Sequence, residues 1–204
     1  MTENSNAKNP YSSSSTNLDR GKAVCEAVIL AGGKSSRMGK DKSSINLGGL
    51  TLLSHVKQVI LSVGFDPYVL VDDLQPGLGP IGGVATALKK SDSFSVMFFG
   101  CDMPFLSSEL LDDFFEEAME VESAIFTKHL KGFGFPFLIY RKDLLKVQEQ
   151  IDNCEFSLQR LARNLSARSW VPPSRFESQL FNINSPEDLI KAKRRVDEGC
   201  YEFI

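Results

Sequence analysis

Phe94 to Phe99, reading FSVMFF, leaves the chain few choices of fold. A run this apolar has no polar face to offer water, so it reads as a central parallel strand covered on both sides. It ends in Gly100-Cys101-Asp102-Met103-Pro104, where glycine and proline break the pattern and a carboxylate arrives. Ser107 or Ser108 then caps a helix predicted over Glu109 to Glu120, with Leu110, Leu111, Phe114, Phe115, Ala118 and Met119 on one face. A second amphipathic helix follows Thr51, with Leu52, Leu53, Val56, Val59, Ile60 and Val63 at helical spacing and Gly64 as the stop. Strands are expected at Ala27 to Leu30, Ser43 to Leu47 and Tyr68 to Val71, and a helix at Val84 to Lys90. Strand and helix alternate, which specifies an α/β domain with a mostly parallel sheet.

The remaining half is less regular. Ser123 to Thr127 and Phe137 to Tyr140 read as strands, with His129 to Pro136 as a loop between them. Helices are expected at Lys142 to Ile151 and Ser157 to Leu165, and a strand at Ser166 to Val171. Ser185-Pro186-Glu187-Asp188 is a helix start, with a serine cap, proline in the first turn and acids at the positive end of the helix dipole. That helix should run to about Asp197 and stop at Gly199.

The stretch Val24 to Lys42 joins an apolar strand to Ala31-Gly32-Gly33 and then to Lys34, Arg37, Lys40 and Lys42. Glycines let backbone N–H groups approach an anion, and four cations in nine residues make a polyanion such as a nucleoside triphosphate the natural guest. The spacing fits neither the P-loop nor the dinucleotide fingerprint. A second glycine-rich loop, Pro76 to Gly83, follows Asp72 and Asp73. In parallel α/β sheets ligands bind beyond the carboxyl ends of the strands, and both loops, Asp73 and Asp102 fall there. Asp102 beside a phosphate loop suits Mg²⁺, an ion that takes oxygen ligands.

A net charge of −3 argues against general nucleic-acid or anionic-membrane binding, so the positive charge is local. With 42% hydrophobic residues over 204 positions there is enough apolar surface for one core. No apolar run approaches the roughly 18 residues of a membrane span. The first 22 residues, rich in Ser and Asn, read as a disordered polar tail before a single domain over residues 23–204. They lack the apolar core of a secretory signal, which points to the cytoplasm. Cys25, Cys101, Cys154 and Cys200 have no zinc-ligand spacing and read as ordinary thiols. His55 and His129 read as surface or satisfied histidines, and Lys191, Lys193, Arg194 and Arg195 as a solvated helix face. Phe133 and Phe135, in their glycine loop, either pack or line a flat aromatic ligand.

Leu30-Ala31-Gly32-Gly33-x-Ser35-Ser36-Arg37-Met38-Gly39-x-Asp41-Lys42 resembles the signature loop of nucleotidyltransferases, and most closely that of the molybdenum cofactor guanylyltransferases. The similarity continues through the Asp73 to Gly83 block, through Cys101-Asp102-Met103-Pro104-Phe105-Leu106, and through Phe181 to Leu189. The resemblance implies a Rossmann-like three-layer α/β/α nucleotidyltransferase domain that transfers GMP from GTP to the phosphate of molybdopterin and releases pyrophosphate. It implies catalytic roles for Arg37, Lys42 and Asp102, with Asp102 holding Mg²⁺. Leu30, Ala31, Gly32, Gly33, Lys42, Asp73, Gly79, Pro80, Gly83 and Asp102 would bind the nucleotide, the amides of Ala31 to Gly33 holding the triphosphate. Molybdoenzymes or their chaperones are implied as transient partners. Two departures stand out. The family usually has two strands before the second glycine loop, where this chain has one recognisable strand, and Phe135-Pro136 replaces a frequent His-Pro. Beside the guanylyl reading stand a transferase of the same fold using CTP or another acceptor, and a nucleotide- or pterin-binding protein without turnover.

Overall fold

The computed structural model describes residues 25–32, 42–72, 77–130 and 132–199. The expected tail at residues 1–22, and Gly33, Arg37 and Asp73, lie outside them. Strands β1 (Cys25–Leu30), β4 (Tyr68–Leu70), β5 (Ser95–Gly100), β6 (Ile125–His129), β7 (Gly132–Tyr140) and β8 (Arg168–Trp170) form a six-stranded sheet in the order β4-β1-β5-β7-β6-β8. β1 runs parallel to both β4 and β5, and β6 parallel to β8; β7 is reversed and pairs antiparallel with β5 and β6. The sheet is therefore mostly parallel, as the alternation of elements requires.

Helices cover both faces. Along β5, Met97 and Phe99 point to one layer and Val96 and Phe98 to the other, all nearly inaccessible, which accounts for the unbroken apolar run. On the first face lie α1 (Leu52–Ser62), with Val56, Val59 and Ile60 buried, and α3 (Ser108–Met119), with Leu110, Leu111, Phe114 and Phe115. On the second lie α2 (Pro80–Lys90), α4 (Leu144–Asp152) and α5 (Leu158–Asn164). There Phe98, Phe137 and Phe126 stack, with centroids 5.0 and 4.5 Å apart along the column. A small third cluster, Leu47, Leu52, Phe105, Ile183 and Ala192, seats α6 (Pro186–Asp197) beside the hairpin of β2 (Asn46–Leu47) and β3 (Leu50–Thr51). Among the described residues no helix is long and apolar enough to cross a membrane.

Several boundaries differ from the sequence reading. The strand expected at Ser43 to Leu47 is a 3-10 turn, Lys42–Ser44, followed by the two-residue β2. The second glycine loop ends early: Pro80, with its preset φ, opens α2, Gly79 precedes it at φ +61° and ψ −150°, and Gly82 and Gly83 are buried in the helix. The stretch expected as a loop at His129 to Pro136 mostly extends β6 and β7, because side chains from elsewhere hold it. The Gln159 amide accepts from the Phe133 N–H (2.7 Å) and donates to the Phe133 carbonyl (2.5 Å). One strand, β4, occupies the described residues between α1 and α2, as the sequence suggested. A 3-10 segment, Ser174–Leu180, was not foreseen.

Candidate active site

Leu30, Leu70 and Gly100 lie in register in one row, so β1, β4 and β5 release their following loops side by side at the carboxyl end of the sheet. The row continues one step further: Ala31 N–H donates to Leu70 O (2.9 Å) and Cys101 N–H to Leu30 O (3.3 Å). Gly32 N–H also reaches Leu70 O, at 3.2 Å. This changes one expectation. The Ala31 and Gly32 amides cap the strand ends and are engaged by Leu70, so they are not free donors for a triphosphate.

Asp102 leaves β5 at the end of that row. Lys42, delivered by the 3-10 turn, places Nζ 3.1 Å from Asp102 Oδ2, with the two side chains 20% and 16% exposed. The same Nζ donates to Asn184 Oδ1 at 2.5 Å. Asn184 is fixed from two directions: Ile183 N–H donates to the Asp102 carbonyl (2.9 Å), and Asn184 N–H donates to Asp188 Oδ2 (3.1 Å) at the start of α6. Asn182 contributes a buried Oδ1 to which no described residue donates. Such acceptors are normally paired. A cation, a carboxylate and one amide, that of Asn184, thus converge from residues up to 142 positions apart.

The Asp102 carboxylate also turns toward Gly100. A Cβ there would lie 2.8 Å from Asp102 Oδ1 and 3.3 Å from the Phe135 ring. Glycine at 100 therefore leaves room for the carboxylate.

Of the expected nucleotide ligands, Leu30 and Ala31 are half-buried at the strand end, and Gly32, Gly79 and Pro80 are exposed. Gly83 is buried inside α2. Asn184 was missed as an individual site residue, although the Phe181 to Leu189 block containing it was recognised. Its one local signal is position, just ahead of a helix cap. Both histidines are held below their ordinary pKa by burial. His55 bonds Leu47 O at 2.7 Å and His129 bonds Phe135 O at 3.0 Å, in keeping with satisfied structural imidazoles. Burial pushes the Cys25 thiol up to about 11, which leaves it unreactive near neutral pH.

Helices on both faces of a mostly parallel sheet, with a lysine and a carboxylate paired at its carboxyl end, define an α/β fold that places its ligand site beyond the strand ends. The chain belongs to the MobA-like NTP transferase domain family, whose profile matches residues 27–169. A protein of Pyrococcus furiosus named "Probable molybdenum cofactor guanylyltransferase" is 31% identical over 84% of this chain and 97% of that relative. One of the same name from Pelotomaculum thermopropionicum is 29% identical over 81% of this chain and 90% of that relative. The crystal structure of molybdopterin-guanine dinucleotide biosynthesis protein A from Archaeoglobus fulgidus shares the fold, with a TM-score of 0.69 at 21% identity over 85% of this chain and 99% of that one.

Proposed function

We propose that this enzyme transfers GMP from GTP to the terminal phosphate of molybdopterin bearing molybdenum, releasing pyrophosphate. The observation that carries the reading is the Lys42–Asp102–Asn184 cluster, which joins three of the four blocks of the resemblance at the carboxyl end of the sheet. The acceptor phosphate oxygen attacks the α-phosphorus in line, forming a new P–O bond, while the bond to the bridging oxygen breaks and its electron pair leaves with pyrophosphate. No protein nucleophile is needed, so the protein's task is to position two polyanions and neutralise the charge between them. Lys42 is suited to this: its ammonium has three donors, two of them committed to Asp102 and Asn184. Arg37 is assigned the pyrophosphate side, and Gly33 and Asp73 the triphosphate and nucleoside. The exposed Gly79 and Pro80 at the start of α2 would border the nucleotide.

Asp102 and Asn184 present hard oxygen donors that suit Mg²⁺. Among the described residues there is no group of three or more His, Cys, Asp or Glu able to hold an ion. An ion here would take its other ligands from phosphate and water, which is how Mg²⁺ commonly sits between carboxylate and nucleotide. When bound it would neutralise charge on the phosphates. Charged triphosphates and pterin phosphates do not cross membranes unaided, which favours work in the cytoplasm and hand-over to molybdoenzymes or their chaperones.

Among the described residues β4 is the one strand between α1 and α2, where the family usually has two with a base-reading residue, which favours a second reading, a CTP-using transferase of the same fold. Melting curves with GTP, CTP, ATP and UTP, each with and without Mg²⁺, separate the two. A selectively bound nucleotide at 100 Kd adds about 2.7 kcal/mol to stability. GTP with Mg²⁺ should raise Tm most, and a shift with CTP and none with GTP would sink the guanylyl assignment.

A further inference from the structure

Phe135 packs against both hydrophobic layers. A strand residue normally serves one face of its sheet, and a ring that touches both layers marks a break in that alternation, here where the β6–β7 register shifts. The β5–β7 ladder ends at Phe98 opposite Phe137, and the β6–β7 register shifts between Phe126 and Thr127, which leaves Phe135 and Pro136 outside the regular pairing. Ring carbons of Phe135 lie 3.3 and 3.5 Å from where a Cβ of Gly100 would be, and Asp102 Oδ1 lies 2.8 Å from the same point. An apolar ring and the site carboxylate therefore flank one bare glycine.

That ring is braced. His129 Nε2 donates to the Phe135 carbonyl (3.0 Å), Thr127 Oγ1 donates to the Pro136 carbonyl (2.6 Å), and Gln159 clasps Phe133. Phe137 lies against the ring, with centroids 5.0 Å apart at 31°. Gly134 permits the brace, since a Cβ there would come 2.6 Å from the His129 ring. Phe135 nonetheless stays half-buried. On the transferase reading, the sheet order sets it apart from the nucleotide loops. The nucleotide loops leave β1 and β4, on one side of β5, and β7 lies on the other, with Asp102 at the end of β5 between them.

We propose that Phe135 is a specificity-determining residue on the acceptor side, its ring stacking on the planar heterocycle of a pterin-type acceptor whose phosphate approaches Lys42 and Asp102. The identity of the acceptor rests on the transferase reading above. The test uses the full chain with Phe135→Leu, which keeps apolar bulk but loses the flat face, and Phe135→Tyr, which keeps it. Pyrophosphate release with GTP and molybdopterin gives the KM of each substrate, quenching of pterin fluorescence on binding gives a Kd without turnover, and Tm checks folding. Phe135→Leu should raise both the acceptor KM and the pterin Kd about tenfold, the scale of one lost ring stack. Its GTP KM should stay within about twofold and Phe135→Tyr within about threefold of wild type, differences below that same stacking scale. An unchanged acceptor KM and pterin Kd, a parallel rise in GTP KM, or a wild type that binds no pterin would each overturn the stacking role. Phe135-dependent pterin binding without pyrophosphate release would uphold it and defeat the transferase reading instead.

Discussion

A hydrogen in place of a methyl group at Gly100 sets where Asp102 can put its carboxylate. In Gly100→Ala the new Cβ would meet Asp102 Oδ1 at 2.8 Å, a movable group that swings aside, and the braced Phe135 ring at 3.3 Å, which must give by a few tenths of an ångström. Misplacing a reacting group by about 1 Å can cost ~10²-fold in rate. Turnover should therefore fall by that order in a protein that still folds, as a cooperative melt would show; a variant of full activity would detach the carboxylate's position from the chemistry. Lys42 carries the other half of the cluster. Lys42→Ala removes a preorganised cation worth about 3 kcal/mol in a transition state, so kcat/KM should drop more than a hundredfold, and a twofold change would make Lys42 a surface lysine. Lys42 and Asp102 were legible in the sequence because each sits in a short block with glycine and a preceding apolar strand. Asn184 was not, since its bond to Lys42 spans 142 residues and spacing holds no trace of it.

The α6 cap connects element stability to the site. Ser185 Oγ accepts from Asp188 N–H (3.2 Å), and Asp188 Oδ2 accepts from Ser185 N–H (3.0 Å) and Asn184 N–H (3.1 Å), so the capping box also anchors the residue that holds Lys42. Ser185→Ala should cost about 1 kcal/mol, read by urea unfolding, and loosen the Lys42 contact enough to lower kcat/KM. Equal activity in both proteins would uncouple cap from site. This helix was readable from four consecutive residues, as were α1 and α3 from their apolar periodicity and caps. Two elements were not. Gly79 to Gly83 looked like loop because glycine lowers helix propensity, yet Pro80 and burial against the sheet decide in favour of helix. The Gly132 to Pro136 stretch also looked like loop, because the Gln159, His129 and Thr127 contacts that stabilise it as strand are tertiary.

Across the whole molecule, burial of two histidines gives stability a pH dependence whose sign can be worked out. Burial lowers the pKa of His55 and His129 in the folded chain, so below the unfolded value of about 6.5 the unfolded chain takes up protons that the folded chain does not. Their contribution is complete above that value and is lost as pH falls through it. Urea-unfolding free energies should decline between about pH 7 and the folded-state values, before most carboxylates titrate, and a flat profile there would contradict the burial seen. At this scale the three layers and the parallel core were legible, because strands buried on both faces must be apolar throughout. The reversal of β7 was not, since neighbouring elements alone do not fix strand direction.

The central claim, GMP transfer through the Lys42–Asp102 end of the sheet, is tested most directly by pyrophosphate release. Purified chain, molybdopterin and Mg²⁺ are assayed with GTP, CTP, ATP and UTP in turn. GTP should support release that depends on molybdopterin; release with CTP in place of GTP, or release indifferent to molybdopterin, would contradict the account.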